Sequence, residues 1–356
     1  MRDAHPVLAA TLVTALVSAA PQQATFPAEL DAYLTSSVGL TPAERQSLLA
    51  GAPVTKMLEA DASREVAVFG AVWVNASPDD YVRAVTDIER LERGESFLVT
   101  KKISDPPKLE DFAALELPQE DFENLKTCKV SNCEVKLSQQ ALDRMRREVD
   151  FSKPTARDDV NRLMRQMAFD YVTAYRSGGN RALAVYRDKE HPTFVAQEFE
   201  SMVNRMPEFT IHLPALRQYL LEFPSFTLPD STSFFYWQTV VFGLKPTTRI
   251  NHVVIAKRPE GTAVVTKQLY ASHYFWTALE LRTLVVDKAR GPGFWFVNVN
   301  RSRSDGLSGF IGRFVRGKVR SETESGMQTA LKVTKNRLER RQTSGQLAGR
   351  APEQRP

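Results

Sequence analysis

The stretch KQLYASHYFWTALELRTLVVD, residues 267–287, holds the densest set of side chains able to do chemistry. His273 sits there among Tyr270, Tyr274, Phe275 and Trp276. A histidine titrates near neutral pH, so it can move a proton or orient a ligand through one hydrogen bond. Acid–base catalysis needs a second group beside it with a shifted pKa. Read as one strand, 267–287 sends Tyr270, Ser272, Tyr274, Trp276 and Glu280 to one face, and Leu269, Ala271, His273, Phe275 and Leu279 to the other. Glu280 then lies more than about 20 Å from His273 along the strand. Ser272 points away from its neighbour and makes no nucleophile–base pair with it. A partner would have to come from an adjacent strand, where His252 is a candidate.

A single polar handle on an apolar concave face is the pattern of a small-molecule cavity. The alternative is a core histidine bonded to its neighbours. No G-x-S-x-G, H-E-x-x-H or phosphate-binding glycine loop occurs. The expectation is therefore a cavity wall without chemistry. A cyclase- or hydrolase-type enzyme using His273 is the alternative.

More rings flank this stretch. FFYWQTVVF carries Tyr236 and Trp237, and GFWFVNVNR carries Trp295. These segments are aromatic on both faces, whereas an antiparallel sheet commonly wets one of them. Something apolar must cover the second face: a helical segment, a lipid or a partner. The candidate ligand-lining residues are Tyr236, Trp237, Tyr270, His273, Tyr274, Trp276 and Trp295. Residues 301–341 are rich in Arg and Lys, and around Arg313 and Arg316 cationic and apolar positions alternate. That pattern suits contact with an anionic membrane surface, and equally a solvated helix face.

The elements that would hold these residues follow from pattern. TPAERQSLLAG reads as a capped helix within an N-terminal helical segment, 20–63. REVAVFGAVWVNA is a Val-rich strand, SPDDYVRAVTDIERLERG a helix with Ser77 as cap, and ESFLVTKKIS a second strand. Residues 105–232 form a mostly helical block, with a strong stripe over 152–176, a break at RSGGN and a short strand CEVKLS. Strands are then expected at 233–244, 248–257, 262–271, 273–287 and 293–301, with RPEG and ARGPG as turns. A long helix over 307–340 closes the chain, with a kink or break predicted from Gly312, Gly317 and Gly326. Residues 341–356 are polar, without apolar period, and read as a disordered tail.

Strand, helix, strand, helical block, antiparallel strands, closing helix: this order resembles the helix-grip superfamily, which includes START lipid-transfer domains and polyketide cyclases. VFGAVWVNASPDDYVRAVTDIERLERG is similar to its first strand and helix, and GFIGRFVRGKVRSETESGMQTALKVTKNRLER to its closing helix. The resemblance implies an α+β fold, a curved antiparallel sheet gripping a long C-terminal helix around a cavity. The domain would span 64–340, with 105–232 as a helical insertion foreign to the usual layout. The implied ligand is an apolar small molecule or lipid, with no cofactor and no metal.

Composition fits a globular protein: 42% hydrophobic and 25% charged residues in a chain of 356. A net charge of +5 gives no bulk attraction for nucleic acid. The run VLAATLVTALVSAA after MRDAHP reads as a signal peptide over 1–19, so the expected location is periplasmic or secreted. Cys128 and Cys133 flank the turn formers Ser131 and Asn132. An oxidised loop, half of a zinc site and an unreacted thiol pair are the readings open to them. The disulfide is preferred, because no His or further Cys lies nearby. CKVSNCEVKLS and KQLYASHYF also resemble segments of uncharacterised exported bacterial proteins, which implies a compartment and no activity.

Overall fold

The computed structural model describes residues 25–242, 245–305, 307 and 309–348, and only the backbone for residues 242, 309–315 and 341–348. The signal peptide expected at 1–19 and the tail from 349 lie outside the described residues.

The N-terminal segment forms α1 (Ala28–Ser36) and α2 (Pro42–Leu49). Thr41 and Glu44 close a reciprocal capping box on α2. A short strand β1 (Val54–Met57) precedes β2 (Glu65–Val74). Ser77 caps α3 (Pro78–Thr86), α4 (Ile88–Leu91) follows a break at Asp87, and β3 (Phe97–Ile103) comes next. The insertion contributes α5 (Gln119–Leu125), α6 (Gln139–Glu148), α7 (Ala156–Gly178), the two-residue strands β4 (Val185–Tyr186) and β5 (Thr193–Phe194), α8 (Val195–Val203) and α9 (Pro214–Glu222). Then come β6 (Ser231–Phe242), β7 (Lys245–Arg258), β8 (Gly261–Ala271), β9 (Phe275–Val286), β10 (Phe294–Ser304) and α10 (Gly309–Ala348).

The fold is α+β. Eight strands form one antiparallel sheet in the order β1-β2-β10-β9-β8-β7-β6-β3. Both faces are buried. On one, Val68, Val72, Phe294 and Phe296 pack with Tyr81 and Val85 of α3 and with Met327, Leu331 and Leu338 of α10. We call this the α10 face. Gly70 lies beneath that helix, where a β-carbon would stand 2.7 Å from Met327 Cγ, so the close approach needs glycine.

The opposite, insertion face has two apolar clusters. Phe69, Trp295 and Leu281 pack with α1, α8 and α9. Trp237, Ile250 and Leu269 pack with α5, α6 and α7. The cover that the two-sided aromatic pattern required is thus the chain's own helices.

Three expectations are corrected. The strands expected separately at 262–271 and 273–287 are found as β8 and β9, but β9 starts at Phe275, so His273 and Tyr274 lie with Ser272 in the turn, and reading 267–287 as one strand fails. Tyr274 adopts φ 58°, and its hydroxyl accepts the Lys245 amide at 2.8 Å. The Ser272 hydroxyl accepts the Thr248 amide at 3.0 Å. These bonds hold a turn that contains no Gly, Pro or Asn, and the face alternation assigned across it fails there. CEVKLS is not a strand; its backbone bonds singly instead, from Cys133 to Asp188 O and from Lys136 to Ser272 O. Finally, α10 runs unbroken through Gly312, Gly317 and Gly326. Each glycine costs about 1 kcal/mol in a helix, which the burial of Met327, Leu331 and Leu338 can offset.

Cys128 and Cys133 are joined in a disulfide. This is compatible with an oxidising extracellular compartment. Among the described residues no helix is long and apolar enough to cross a membrane.

One ionic cluster ties the layers together. Glu65 of β2 is buried and accepts from Arg301 Nη1 at 2.8 Å and Arg303 Nε at 2.9 Å. Arg303 also donates to Glu198 of α8 at 2.9 Å. Removing the shared carboxylate leaves two buried guanidiniums underpaired. Glu65→Ala should therefore lower unfolding free energy in urea by about 3–5 kcal/mol. A loss below 1 kcal/mol would show that the cluster is not a structural anchor.

Candidate functional site

A cleft of about 360 Å³ opens on the insertion face between α6, α7 and the sheet. Met164, Met167 and Tyr171 of α7 form one wall, Leu137 and Ala141 another, and Ile250 and Tyr270 form part of the sheet side. The 3.6-residue period of α7 puts Met164, Met167, Ala168 and Tyr171 on one stripe facing the cleft. The lining is chiefly apolar. At the rim Arg144 Nη1 meets Asp170 Oδ2 at 2.8 Å.

Three tyrosines meet here. Tyr270 is edge-on to Tyr171 at 6.4 Å and to Tyr186 at 6.2 Å. Tyr171 donates to Leu269 O at 2.7 Å and accepts the Ala184 amide. Tyr186 accepts the Ala271 amide at 3.3 Å. Among the described residues the buried Tyr270 hydroxyl has no hydrogen-bond partner. Burial pushes all three phenols above their ordinary range, so they stay neutral donors at physiological pH.

The seven residues picked out from sequence do not gather at one place. Only Tyr270 lines the cleft. Tyr236 is on the α10 face and donates to Glu92 Oε1 at 3.2 Å. Trp237 is in the insertion-face core, stacked on Phe112 and donating to Asp111 O at 2.9 Å. Trp295 packs at the far end against Phe26 and Trp73, and donates to Asp287 at 3.1 Å. Trp276 donates to Asp305 at 2.7 Å. Tyr274 sits in the β8–β9 turn, as does His273.

His273 is buried with both ring nitrogens engaged: Nε2 lies 2.9 Å from Asp121 Oδ1, and Nδ1 lies 3.1 Å from Glu134 O. That arrangement pins the β8–β9 turn to α5. Of the two arginines proposed for membrane contact, Arg316 donates to Leu307 O, and the side chain of Arg313 lies outside the described residues. Pattern reading missed Tyr186, and it placed Tyr171 and Met167 only in a helix stripe. The thioether and phenol mix in that stripe was the signal available for them.

A second titratable group of residues lies inside the insertion face. Lys267 is fully buried without a carboxylate partner among the described residues; its ammonium position bonds Tyr175 Oη at 3.1 Å and Asn180 Oδ1, with the Phe199 ring 3.9 Å away. Burial lowers its pKa well below the ordinary lysine value. His252 is buried beside it, and burial, with Lys267 second, drops it to about 3. Among the described residues no group of three or more His, Cys, Asp or Glu is placed to hold a metal.

No family model, curated protein or solved structure matches this chain.

Two outcomes follow. His273→Ala would strand the buried Asp121 carboxylate, so unfolding free energy should fall by about 3 kcal/mol in urea titration; a variant as stable as the parent would argue against the anchoring role. For His252, the folded pKa of about 3 lies below the ordinary 6.5. Its contribution is therefore intact above pH 6.5 and lost as pH falls toward 3, because the unfolded chain takes up the proton first. His252→Phe should flatten the stability–pH curve in that window by up to about 1.4 kcal/mol per pH unit. Parallel curves for the two proteins would refute a neutral buried imidazole.

Proposed function

We propose that this protein binds an apolar, lipid-like small molecule in the cleft between α6–α7 and the sheet, and that it does so without chemistry. The observation that carries this reading is the cleft itself. Its volume of about 360 Å³ falls in the range of small-molecule sites, roughly 300–1,000 Å³. Methionine and alanine walls suit an apolar body, since thioethers adapt to irregular shapes. The Arg144–Asp170 pair at the rim supplies the polar groups that would orient it, and the Tyr270 ring forms part of the sheet-side wall.

The helix-grip reading finds support in the strand order. β2 pairs with β10, and β9, β8, β7, β6 and β3 follow in sequence, with α10 packed on β2. The cleft, however, lies on the opposite side of the sheet from α10, so the insertion supplies the ligand wall. Export is part of the proposal, and the disulfide is in keeping with it. His273, with both nitrogens engaged, does not favour the alternative of an enzyme built on that residue.

Native mass spectrometry of protein isolated from cells, followed by solvent extraction, should reveal a co-purifying apolar species. Ala168→Trp, which fills the cleft, should remove that species and weaken Nile red binding at least tenfold while leaving the melting temperature within a few degrees. Retention of ligand by the variant would place binding elsewhere; no ligand and no dye binding by the parent would end the proposal.

A further inference from the structure

The cleft between α6, α7 and the sheet offers polar groups to a ligand only at its mouth. Deeper in, the polar atoms are already engaged or closed off. Tyr171 Oη donates to Leu269 O at 2.7 Å and accepts the Ala184 amide, and Tyr186 Oη accepts the Ala271 amide at 3.3 Å. Thr248 Oγ1 shares a hydrogen bond with Thr239 Oγ1 at 3.1 Å. The Tyr270 hydroxyl is buried out of reach of solvent. A polar group on the inner end of a ligand would lose its water there and gain no partner. The inner end of the ligand is therefore apolar.

The mouth carries charge, but that charge is matched. Among the described residues Arg144 and Asp170 are the only charged side chains that line the cleft. Arg144 Nη1 donates to Asp170 Oδ2 at 2.8 Å, and its Nε donates to Glu148 Oε1 at 3.0 Å. Arg147 Nη2 donates to the same Glu148 oxygen at 3.3 Å. Gln166 Nε2 donates to the other oxygen of Asp170 at 2.8 Å. Two guanidiniums thus face two carboxylates. The other polar groups toward the mouth, the Ser138 hydroxyl and the exposed Gln140 amide, are uncharged.

Given the lipid-like cleft proposed above, on which this rests, we propose that its ligand is a single-headed amphiphile with an uncharged head: a long-chain alcohol, amide or glycerol ester, rather than a fatty acid or a long-chain amine. A carboxylate head would meet a guanidinium that already holds two carboxylates. An ammonium head would meet a carboxylate already shared by Arg144 and Gln166. Either would have to displace an internal partner, or give up water without gaining a counter-charge. An uncharged head gives up less. A hydroxyl both donates and accepts, so it can bond the Ser138 hydroxyl, the Gln140 amide or a remaining lone pair of Asp170 without breaking the pair.

The experiment is displacement of Nile red from the intact protein by decan-1-ol, decanoate and decylammonium at about pH 7.5, where the last two are charged. Decan-1-ol should compete about tenfold more tightly than either charged analogue of the same chain. Asp170→Asn leaves two guanidiniums on one carboxylate, so decanoate should gain about fivefold relative to decan-1-ol. Arg144→Gln should give that gain to decylammonium instead. Opposite shifts in ranking are not what a general loss of structure produces. A parent that binds the dye but ranks decanoate or decylammonium level with decan-1-ol overturns the uncharged head and leaves the cleft standing, as does a ranking that neither substitution moves. No dye binding by the parent, or dye binding undiminished in Ala168→Trp, removes the cleft reading and the uncharged head together.

Discussion

Burial of the central sheet on both sides is the constraint on which the rest of this structure depends. β8 shows it most clearly, with nine of its eleven residues buried. Antiparallel sheets commonly leave one face to water. Here the helices must come in two sets, and neither is optional: α3 and α10 on one side, and α1 with the insertion helices on the other. The insertion is thus half of the packing that lets Trp237, Ile250, Leu269 and Phe69 exist where they do. Stripping it would expose a continuous apolar surface far larger than a soluble monomer tolerates.

Much of the fold was legible because its signals are local. Val-rich alternation marked β2, Ser77 and Pro78 marked the start of α3, and ring-rich segments separated by RPEG and ARGPG marked the late strands. The closing helix was readable from its apolar spacing, even though its glycines suggested a break. What escaped detection is long-range or lacks punctuation. β1 is four residues long, too short for a period to show. The turn at Ser272-His273-Tyr274 has only Ser272 to announce it, with no Gly, Pro, Asn or Asp, and it is held by Lys245, Thr248 and Lys136, all distant in sequence.

The same limit governs the sites. Tyr270 could be picked out as a polar-tipped ring near the end of a strand, and it does line the cleft. Its companions Tyr171 and Tyr186 come from a helix and a two-residue strand that only tertiary packing brings together. Trp237 and Trp295, chosen for being large and aromatic, are core residues whose indole N–H groups already have partners. Conversely, Gln238, Asn251, Gln268 and Asn298 are unremarkable in isolation. Their placement on one buried face of the sheet follows from strand register, and register cannot be read from one chain.

The Glu65–Arg303–Glu198 cluster also sets how one part of the insertion is held to the sheet. It bolts α8 to the strands β2 and β10 through buried, charge-assisted bonds. The cleft, by contrast, is rimmed by the exposed Arg144–Asp170 pair, a contact of the kind that is worth less than about 1 kcal/mol in water. Within the insertion, then, α8 is fixed to the sheet by buried charge and α7 by the buried Val160, Leu163, Val172 and Tyr175, while the mouth of the cleft is spanned only by a solvent-exposed pair.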